Sequence, residues 1–411
     1  MVFYSRYYIQ EMLLVCFTFG AIVSGYRYAR NKNLAWALLT GTFLGLAHAT
    51  KETCIIAFGA MFLALVLVFL VQRRISSIVR AVKPSHLVGG LMAGVAVSAL
   101  FYSSFLSHPA GIVDSIRTYT TYFDRASHGS LHVHPWSYYL EMLIYFRYGD
   151  GPFWTEALIV SLAIVGFVAA MTRKGASFAN VQLVRFLAFY TLILTAVYSA
   201  IPYKTPWCML GFLHGMILLA GVGAVVLVRL APNVLPRLIV LALLFEASVH
   251  LTWQAYLSNY TYYADSHNPY VYAHPTTEVF TVVRKIEEYA SVHEAGYDVP
   301  IDVVCPGDDY WPLPWYLRTF GRISWSDHVV RDRDSAPLII ASPEVEGALT
   351  EKLYKLTPVG KRQMYLFLFD KPYYVWLRPE VKLLGFVRKD LWDRLQRWQA
   401  EEPQAQTEGK K

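Results

Sequence analysis

The chain has 411 residues, of which 55% are hydrophobic, and it carries a formal net charge of +7. That hydrophobic share is too high for an ordinary soluble protein. The positive excess lies before Leu251, where 18 basic residues face 8 acidic ones, and nearly all of it falls in short connections between hydrophobic runs. The charge therefore indicates membrane topology and argues against a nucleic-acid partner.

Eight hydrophobic runs are long enough to cross a membrane as helices. A hydrocarbon core about 30 Å thick needs roughly 20 helical residues. Runs such as Cys54–Val71 and Phe186–Ile201 contain no charged residue. The predicted spans are Tyr8–Gly25, Leu34–Ala49, Cys54–Val71, Leu87–Phe105, Thr155–Met171, Phe186–Ile201, Cys208–Val228 and Pro236–Trp253.

The connections between the spans alternate in charge, which predicts their orientation. The connections fall into two alternating sets. The short connections of one set hold only Arg6, Lys51 and Lys204 as basic residues, whereas the other set holds twelve basic residues and no acidic one. Its members are Arg27, Arg30, Lys32, Arg73, Arg74, Arg80, Lys83, Arg173, Lys174, Arg185, Arg229 and Arg237. By the positive-inside rule this set faces the cytoplasm. The chain's N-terminus, the long loop 106–154 and everything after Trp253 are then predicted to lie outside the plasma (cytoplasmic) membrane.

After the membrane part (residues 1–253), residues 254–400 have the pattern of a soluble α/β domain, and residues 401–411 form a polar tail. The predicted elements are helices over Thr277–Ala290, Trp311–Phe320 and Glu344–Tyr354, and strands over Ile301–Val304, Leu338–Ala341 and Tyr365–Phe369. Alternating strands and helices predict a small, largely parallel sheet. The predicted fold is an α-helical polytopic membrane protein of about eight transmembrane helices, with a C-terminal extracytoplasmic α/β domain.

Charged residues mark two outer helix boundaries. Arg6 and Glu11 flank the start of the first span, and they can meet only if Arg6 precedes the helix, since within one helix they lie about 140° apart. A carboxylate there could bind a metal, act as a base or anchor an arginine, and the alternative is an interfacial pair without chemistry. Lys51-Glu52, at the turn between two spans, is typical of a solvated or helix-capping pair.

Two aromatic motifs lie in the outer connections. His132-Val-His134-Pro135-Trp136-Ser-Tyr138-Tyr139 could bind a transition metal with further ligands, but hydrogen bonding to a polar ligand is the preferred interpretation. The stretch Pro135–Arg147 is predicted as an interfacial helix. In Tyr203-Lys204-Thr205-Pro206-Trp207 the lysine suits a lipid phosphate, and the alternative is a lysine that snorkels beside a tryptophan.

Two further sets of residues, each containing at least one carboxylate, are weaker candidates for a functional site. Glu246 and His250 lie four residues apart in the last span, where ionisable groups serve function or hold helices together. Asp308-Asp309-Tyr310-Trp311 suits carbohydrate contact, although a helix-capping loop is the preferred interpretation.

Together these motifs resemble the polytopic glycosyltransferases of the GT-C type. The likeness is closest to family 39, the protein O-mannosyltransferase and aminoarabinose-transferase group, and within it to the flippase activity-associated proteins of archaeal and bacterial N-glycosylation. The motifs that carry it are Ser5-Arg6 with Glu11, His132 with Pro135-Trp136 and Tyr138-Tyr139, Tyr203–Trp207, and Asp309–Arg318.

The resemblance implies transfer of a sugar from a polyprenyl-phosphate donor to a protein or glycolipid acceptor on the outer face, among membrane lipids. It implies no certain cofactor and leaves a divalent cation open. Arg6 and Lys204 would bind the donor phosphate, and Glu11 would be a supporting carboxylate. The residues implied in substrate binding are His132, His134, Trp136, Tyr138, Tyr203 and Trp207.

The chain departs from such families in one respect. They place an acidic pair, which supplies the catalytic base, in the first outer loop, and this chain is expected to begin downstream of that loop as an N-terminally shortened form. Two other classes stay open. One is a non-catalytic membrane protein that helps to flip or present lipid-linked glycans. The other is a transporter, which the outer position of the polar residues disfavours.

Overall fold

The computed structural model of the chain describes residues 1–72, 82–127, 133–175 and 177–408. They form two compact units. The helical unit comprises Met1–Tyr263 and His267–Tyr270, and the α/β unit comprises Ala264–Ser266 and Val271–Lys411.

The helical unit is built almost entirely of α-helices. They are α1 (Val2–Arg6), α2 (Gln10–Asn31), α3 (Leu34–Thr50), α4 (Cys54–Val71), α5 (Pro84–Tyr102), α6 (Gly111–Ser127), α7 (Tyr138–Ile144), α8 (Ala157–Thr172), α9 (Val181–Ala200), α10 (Leu210–Leu230) and α11 (Val234–Tyr256). A 3-10 turn, Pro206–Met209, leads into α10, and α11 runs through Trp253 and continues as a π-helical turn, Leu257–Thr261.

Six helices in the described ranges are long and apolar enough to cross a membrane. They are Gln10–Asn31, Cys54–Val71, Pro84–Tyr102, Val181–Ala200, Pro206–Leu230 and Val234–Thr261. Two of the eight predicted spans coincide with shorter apolar helices, α3 and α8, of 17 and 16 residues. Large apolar side chains are exposed on the long apolar helices, such as Met92 (67%) and Val95 (69%) on α5 and Phe245 (73%) on α11. Length, composition and this apolar exterior indicate a multi-pass membrane protein.

The helices leave two chemically different ends. Helices α2 and α4 begin at one of them, where α3 and α9 also terminate, and we call it the site end. We call the opposite one the basic end. Nine of the twelve basic residues predicted to share one side lie at the basic end, and Arg73, Arg74 and Arg80 lie outside the described residues. Local caps fix this end: the Asn33 side chain accepts a hydrogen bond from the Ala35 amide (2.9 Å), and Asn180 accepts one from Leu183 (3.0 Å).

Glycines allow two pairs of helices to approach closely. A Cβ atom on Gly41 of α3 would lie 1.8 Å from the Gly90 carbonyl oxygen of α5, and one on Gly45 would lie 2.4 Å from that of Gly94. Between α8 and α10, a Cβ on Gly223 would lie 2.0 Å from the Leu162 carbonyl oxygen. Small residues four apart are typical of packed membrane helices.

We expect Gly41→Ala to lower the thermal unfolding midpoint of the protein in detergent. The added methyl group would overlap the Gly90 carbonyl and force α3 away from α5, and overpacking of this kind costs about 1–3 kcal/mol. Gly59→Ala is the control, because a Cβ at Gly59 meets nothing within 4 Å and alanine is the better helix former. Equal midpoints for the two variants would contradict the close packing.

The α/β unit is a sheet covered by helices on both faces. Its elements are α12 (Val279–Val292), β1 (Ile301–Val304), α13 (Leu313–Tyr316), β2 (Ile323–Ser326), β3 (Leu338–Ala341), α14 (Glu346–Glu351), β4 (Tyr365–Phe367), β5 (Tyr374–Arg378), β6 (Val381–Arg388) and α15 (Lys389–Glu408). Helices α12 and α15 pack in the larger apolar core on one face, and α14 packs in the smaller core on the other.

The sheet is mixed, which corrects the prediction of a largely parallel one. The strand order is β2-β1-β3-β6-β4, with β5 also paired to β6. Strands β2, β1 and β3 are parallel, but β6 runs antiparallel to β3, β4 and β5. The reason is local: β5 and β6 are joined by a tight turn with Glu380 at φ 67°, and a tight turn can only join antiparallel strands.

Candidate functional site

Arg6 precedes α2, as contact with Glu11 would require, yet the two residues have different partners. The helical conformation is interrupted between α1 and α2 at residues 7–9. The exposed Arg6 guanidinium donates to the Asn259 carbonyl oxygen (3.2 Å) and lies 4.7 Å from the centroid of the Tyr260 ring. This cation–π contact orients Arg6 and leaves part of its donor fork open to solvent.

Glu11, at the first turn of α2, pairs with a lysine instead. The Lys51 ammonium, directly after α3, donates to Glu11 Oε1, and the two side chains are only 18% and 7% exposed, respectively. Burial lowers the pKa of Lys51, but the charge of Glu11 and the hydrogen bond to it raise it, and the net direction is upward. The interpretation of Lys51 as part of a solvated or capping pair is therefore wrong.

The two aromatic motifs form one layer at the site end. The His134 amide donates to the Pro202 carbonyl (3.1 Å), and Val133 and Tyr203 form an antiparallel bridge. The Tyr139 hydroxyl, fully buried at the start of α7, donates to the Thr205 carbonyl oxygen (3.1 Å). Residues 133–139 are thus fixed against residues 202–205, which no periodicity in the sequence predicts.

Lys204 is the most buried cation of this layer. The residue is 1% exposed, and its ammonium donates to the carbonyl oxygens of His134 (3.2 Å) and Ile201. Among the residues that the structure describes, no carboxylate pairs with it. Burial lowers its pKa. An ammonium has three N–H donors, so one remains for a ligand in a setting of low dielectric constant.

Most of the aromatic side chains predicted to bind substrate surround this layer. Tyr138 stacks on the His134 ring with centroids 4.2 Å apart, and Trp207 meets the Tyr4 ring edge-on at 6.5 Å. Trp136 and Tyr203 are exposed, at 68% and 36%. The prediction for His132 lies outside the described residues.

Cys208 joins the ion pair to the aromatic layer. Its sulfur lies 3.1 Å from Thr205 Oγ1. Cys208 interacts electrostatically with Glu11 and Lys51, and also with Tyr138. A narrow cavity beside it is lined by Glu11, Trp207 and residues from α2, α4 and α9. Ammonium, carboxylate and aromatic rings therefore converge on one site.

A second carboxylate at the site end is absent from the sequence prediction. Glu156, directly before α8, accepts hydrogen bonds from the Tyr270 hydroxyl (2.9 Å) and Gln254 Nε2 (3.2 Å). Burial raises its pKa, against the lowering effect of these hydrogen bonds. The Tyr4 hydroxyl donates to the Tyr270 carbonyl oxygen (2.8 Å), which connects Glu156 to the aromatic residues of the site. Its only signal in the sequence is a lone carboxylate bordering an apolar run.

The weaker candidates have other contacts, and His250 also interacts electrostatically with Glu156. Glu246 is exposed on α11, and the His250 ring stacks on Phe153 at 5.4 Å. In the α/β unit Asp309 accepts a hydrogen bond from Arg378 (2.5 Å), and this contact ties the turn after β1 to β5.

Metal binding stays a prediction. Within residues 1–72, 82–127, 133–175 and 177–408, no group of three or more His, Cys, Asp or Glu side chains is placed to hold a metal ion. The predicted pair His132 and His134 is only half described.

Comparison of the chain with protein-family models, curated proteins and solved structures finds no match in any of the three. Fold and site therefore define the class by themselves. The chain is a mostly helical protein whose described residues include six helices suited to cross a membrane, a polar and aromatic site at one end of them, and a C-terminal α/β unit.

Proposed function

We propose that this protein is a membrane glycosyltransferase of the GT-C type, which moves a sugar from a polyprenyl-phosphate donor to a protein or glycolipid acceptor. The observation that carries the proposal is the convergence of Lys204, the Glu11–Lys51 pair and the ring layer of Tyr138 and Trp207 at the site end. It combines phosphate-binding cations with rings suited to a sugar.

The chemistry follows from these groups. An acceptor hydroxyl attacks the anomeric carbon, the bond from that carbon to the phosphate oxygen breaks, and the electron pair leaves on the polyprenyl phosphate. The N–H of Lys204 left by its two carbonyl partners would stabilise that charge, and Arg6 could offer its planar fork to a second phosphate oxygen. Glu11 holds Lys51 in place. The proton of the acceptor hydroxyl passes to a carboxylate base, a role that the resemblance assigns to an acidic pair of the first outer loop.

The proposal includes an orientation and a number of spans. All eight apolar helices, including the shorter α3 and α8, would cross the plasma membrane, with the basic end in the cytoplasm. Because α11 ends at the site end, the chain enters the α/β unit on the outer side.

Thiol labelling of intact cells tests this orientation. Ser107, which follows α5 at the site end, and Lys174, at the basic end, are both exposed. We expect Ser107→Cys to react with an impermeant maleimide and Lys174→Cys to react only after permeabilisation, with the unsubstituted chain as blank. The reverse pattern would place the site in the cytosol and remove the proposed function.

The activity itself is tested with purified protein in liposomes containing radiolabelled polyprenyl-phosphate mannose or glucose. Transfer predicts protein-dependent release of unglycosylated polyprenyl phosphate, with the label moving to an added peptide or glycolipid. Intact donor on both faces of the membrane, without bond cleavage, would contradict it.

A second function, assistance in flipping or presenting lipid-linked glycans, is favoured by one observation. Glu11, the supporting carboxylate of the predicted site, is already neutralised by Lys51. A site of this kind can bind a lipid phosphate without transferring its sugar. Movement of intact donor in the liposome assay would support it.

A further inference from the structure

A pocket of about 520 Å³ lies in the α/β unit, away from the Asp308–Asp309 turn. It opens at the edge of the sheet where β3 begins, whereas that turn follows the opposite end of the parallel strand β1. Its size is within the range of small-molecule sites. Its cationic lining residues are Arg331, Arg333, Lys352, Lys361 and Arg388.

The three arginines are already engaged. Arg331 lies 3.7 Å from Glu351, Arg333 pairs with Asp302, and Arg388 donates to both carboxylate oxygens of Asp390 at 2.6 and 2.9 Å. The carboxylates fix the guanidinium groups in place, and the planar groups retain further N–H donors.

Lys352 differs from these arginines. It lies in the turn after α14 and is only 6% exposed. Within the described part of the chain its ammonium has no hydrogen bond and no ion pair. Burial lowers its pKa, and Arg333 adds to this effect against the attraction of Asp302 and Asp334. A lysine that lines the pocket without a direct ion pair is a suitable partner for an anion that enters it.

The charges of the lining indicate which anion. Lys352 and Lys361 are the lining cations without a carboxylate partner in the described residues, and two positive charges match a phosphate monoester, a dianion, better than a carboxylate. Asp332 and Asp334 also line the pocket, with exposed side chains whose oxygens can accept hydrogen bonds from hydroxyl groups, although Asp334 attracts Lys352 as well.

We propose that this pocket binds the phosphate monoester of a small hydroxylated molecule, with Lys352 contacting the phosphoryl group and Lys361 closing over it. The site goes beyond the proposed transferase function and lies within the α/β unit alone. A failure of this binding proposal would leave the proposed transferase function untouched.

The test uses the full chain in detergent, titrated calorimetrically with glucose 1-phosphate at constant ionic strength. We expect saturable binding, at least tenfold weaker for Lys352→Met and several-fold weaker for Lys361→Met. Lys355→Met is the matched control, because Lys355 belongs to the same turn, is exposed and does not line the pocket. Equal affinity in Lys352→Met and Lys355→Met, or equal binding of unphosphorylated glucose, would overturn the proposal.

A second arm distinguishes the source of the phosphate. If the ligand is a lipid headgroup, nanodiscs that contain phosphatidic acid should shift the unfolding midpoint of the α/β unit in the unsubstituted chain but not in Lys352→Met. A shift with glucose 1-phosphate alone assigns a soluble ligand. The absence of both effects would overturn the proposal, and the far-ultraviolet circular dichroism of Lys352→Met would show that the variant is folded.

Discussion

Glu11→Gln should destabilise the helical unit by about 3–5 kcal/mol, the range expected when one partner of a buried ion pair is removed. The substitution keeps the size of the side chain but leaves the Lys51 ammonium, 18% exposed, without its counter-charge. Because Glu11 begins α2 and Lys51 follows α3, the loss should appear as a lower thermal midpoint and as faster hydrogen exchange where these helices meet.

Two controls isolate the effect of the charge. Lys51→Met in addition to Glu11→Gln removes both charges and should recover most of the lost stability, since apolar replacement of a buried pair is often neutral. Glu288→Gln breaks the more exposed pairs with Arg284 and Lys285 and should change stability by less than about 1 kcal/mol. Equal effects of Glu11→Gln and Glu288→Gln would show that the pair contributes little.

The pH dependence of this pair has a defined sign. The folded-state pKa of Lys51 is raised above its ordinary value of 10.5. Its contribution to stability is therefore complete below that ordinary value and is lost as the pH rises through the higher folded-state value. Glu11→Gln should remove this alkaline component of the unfolding curve.

The sequence predicts the apolar helices well because each is a local property of the chain. A charge-free run such as Cys54–Val71 must satisfy its backbone hydrogen bonds within a helix wherever it is buried in lipid, and the structure has a helix over the same residues. Helix α6 is missing from the prediction, because Gly111–Ser127 mixes polar and apolar residues within a connection. Strand β6 is missing as well: β5 adjoins it, but the residues of β3 that pair with it lie 43 to 49 positions earlier in the chain.

The site is predictable in its parts but not in its pairings. The alternation of charge along the chain predicts that the motifs around Glu11, His134 and Lys204 share one side of the membrane, and the structure brings all three to the site end. Which groups touch depends on packing: Lys51 meets Glu11 across 40 residues, while Arg6, five residues from Glu11, stacks on Tyr260. Spacing along one chain carries no signal for such contacts.

Under the proposed function, Lys204→Met should lower kcat for the polyprenyl-phosphate donor by about 10²-fold or more, the scale on which loss of a positioned charge-stabilising donor acts. Methionine fills a similar volume but cannot bind the departing phosphate. It also leaves the His134 and Ile201 carbonyls without their donor, at a cost of about 1–3 kcal/mol in stability.

These two effects must be separated, because a lysine that only ties residues 134 and 201 together would also lower the yield of folded protein. Transfer is therefore measured per folded molecule, from the monodisperse fraction in detergent, with kcat and KM determined separately. Lys174→Met is the matched control, an exposed lysine at the basic end. A loss of kcat per folded molecule in Lys204→Met alone is the expected result. If both variants turn over like the unsubstituted chain, Lys204 is a structural residue and the donor phosphate is bound elsewhere.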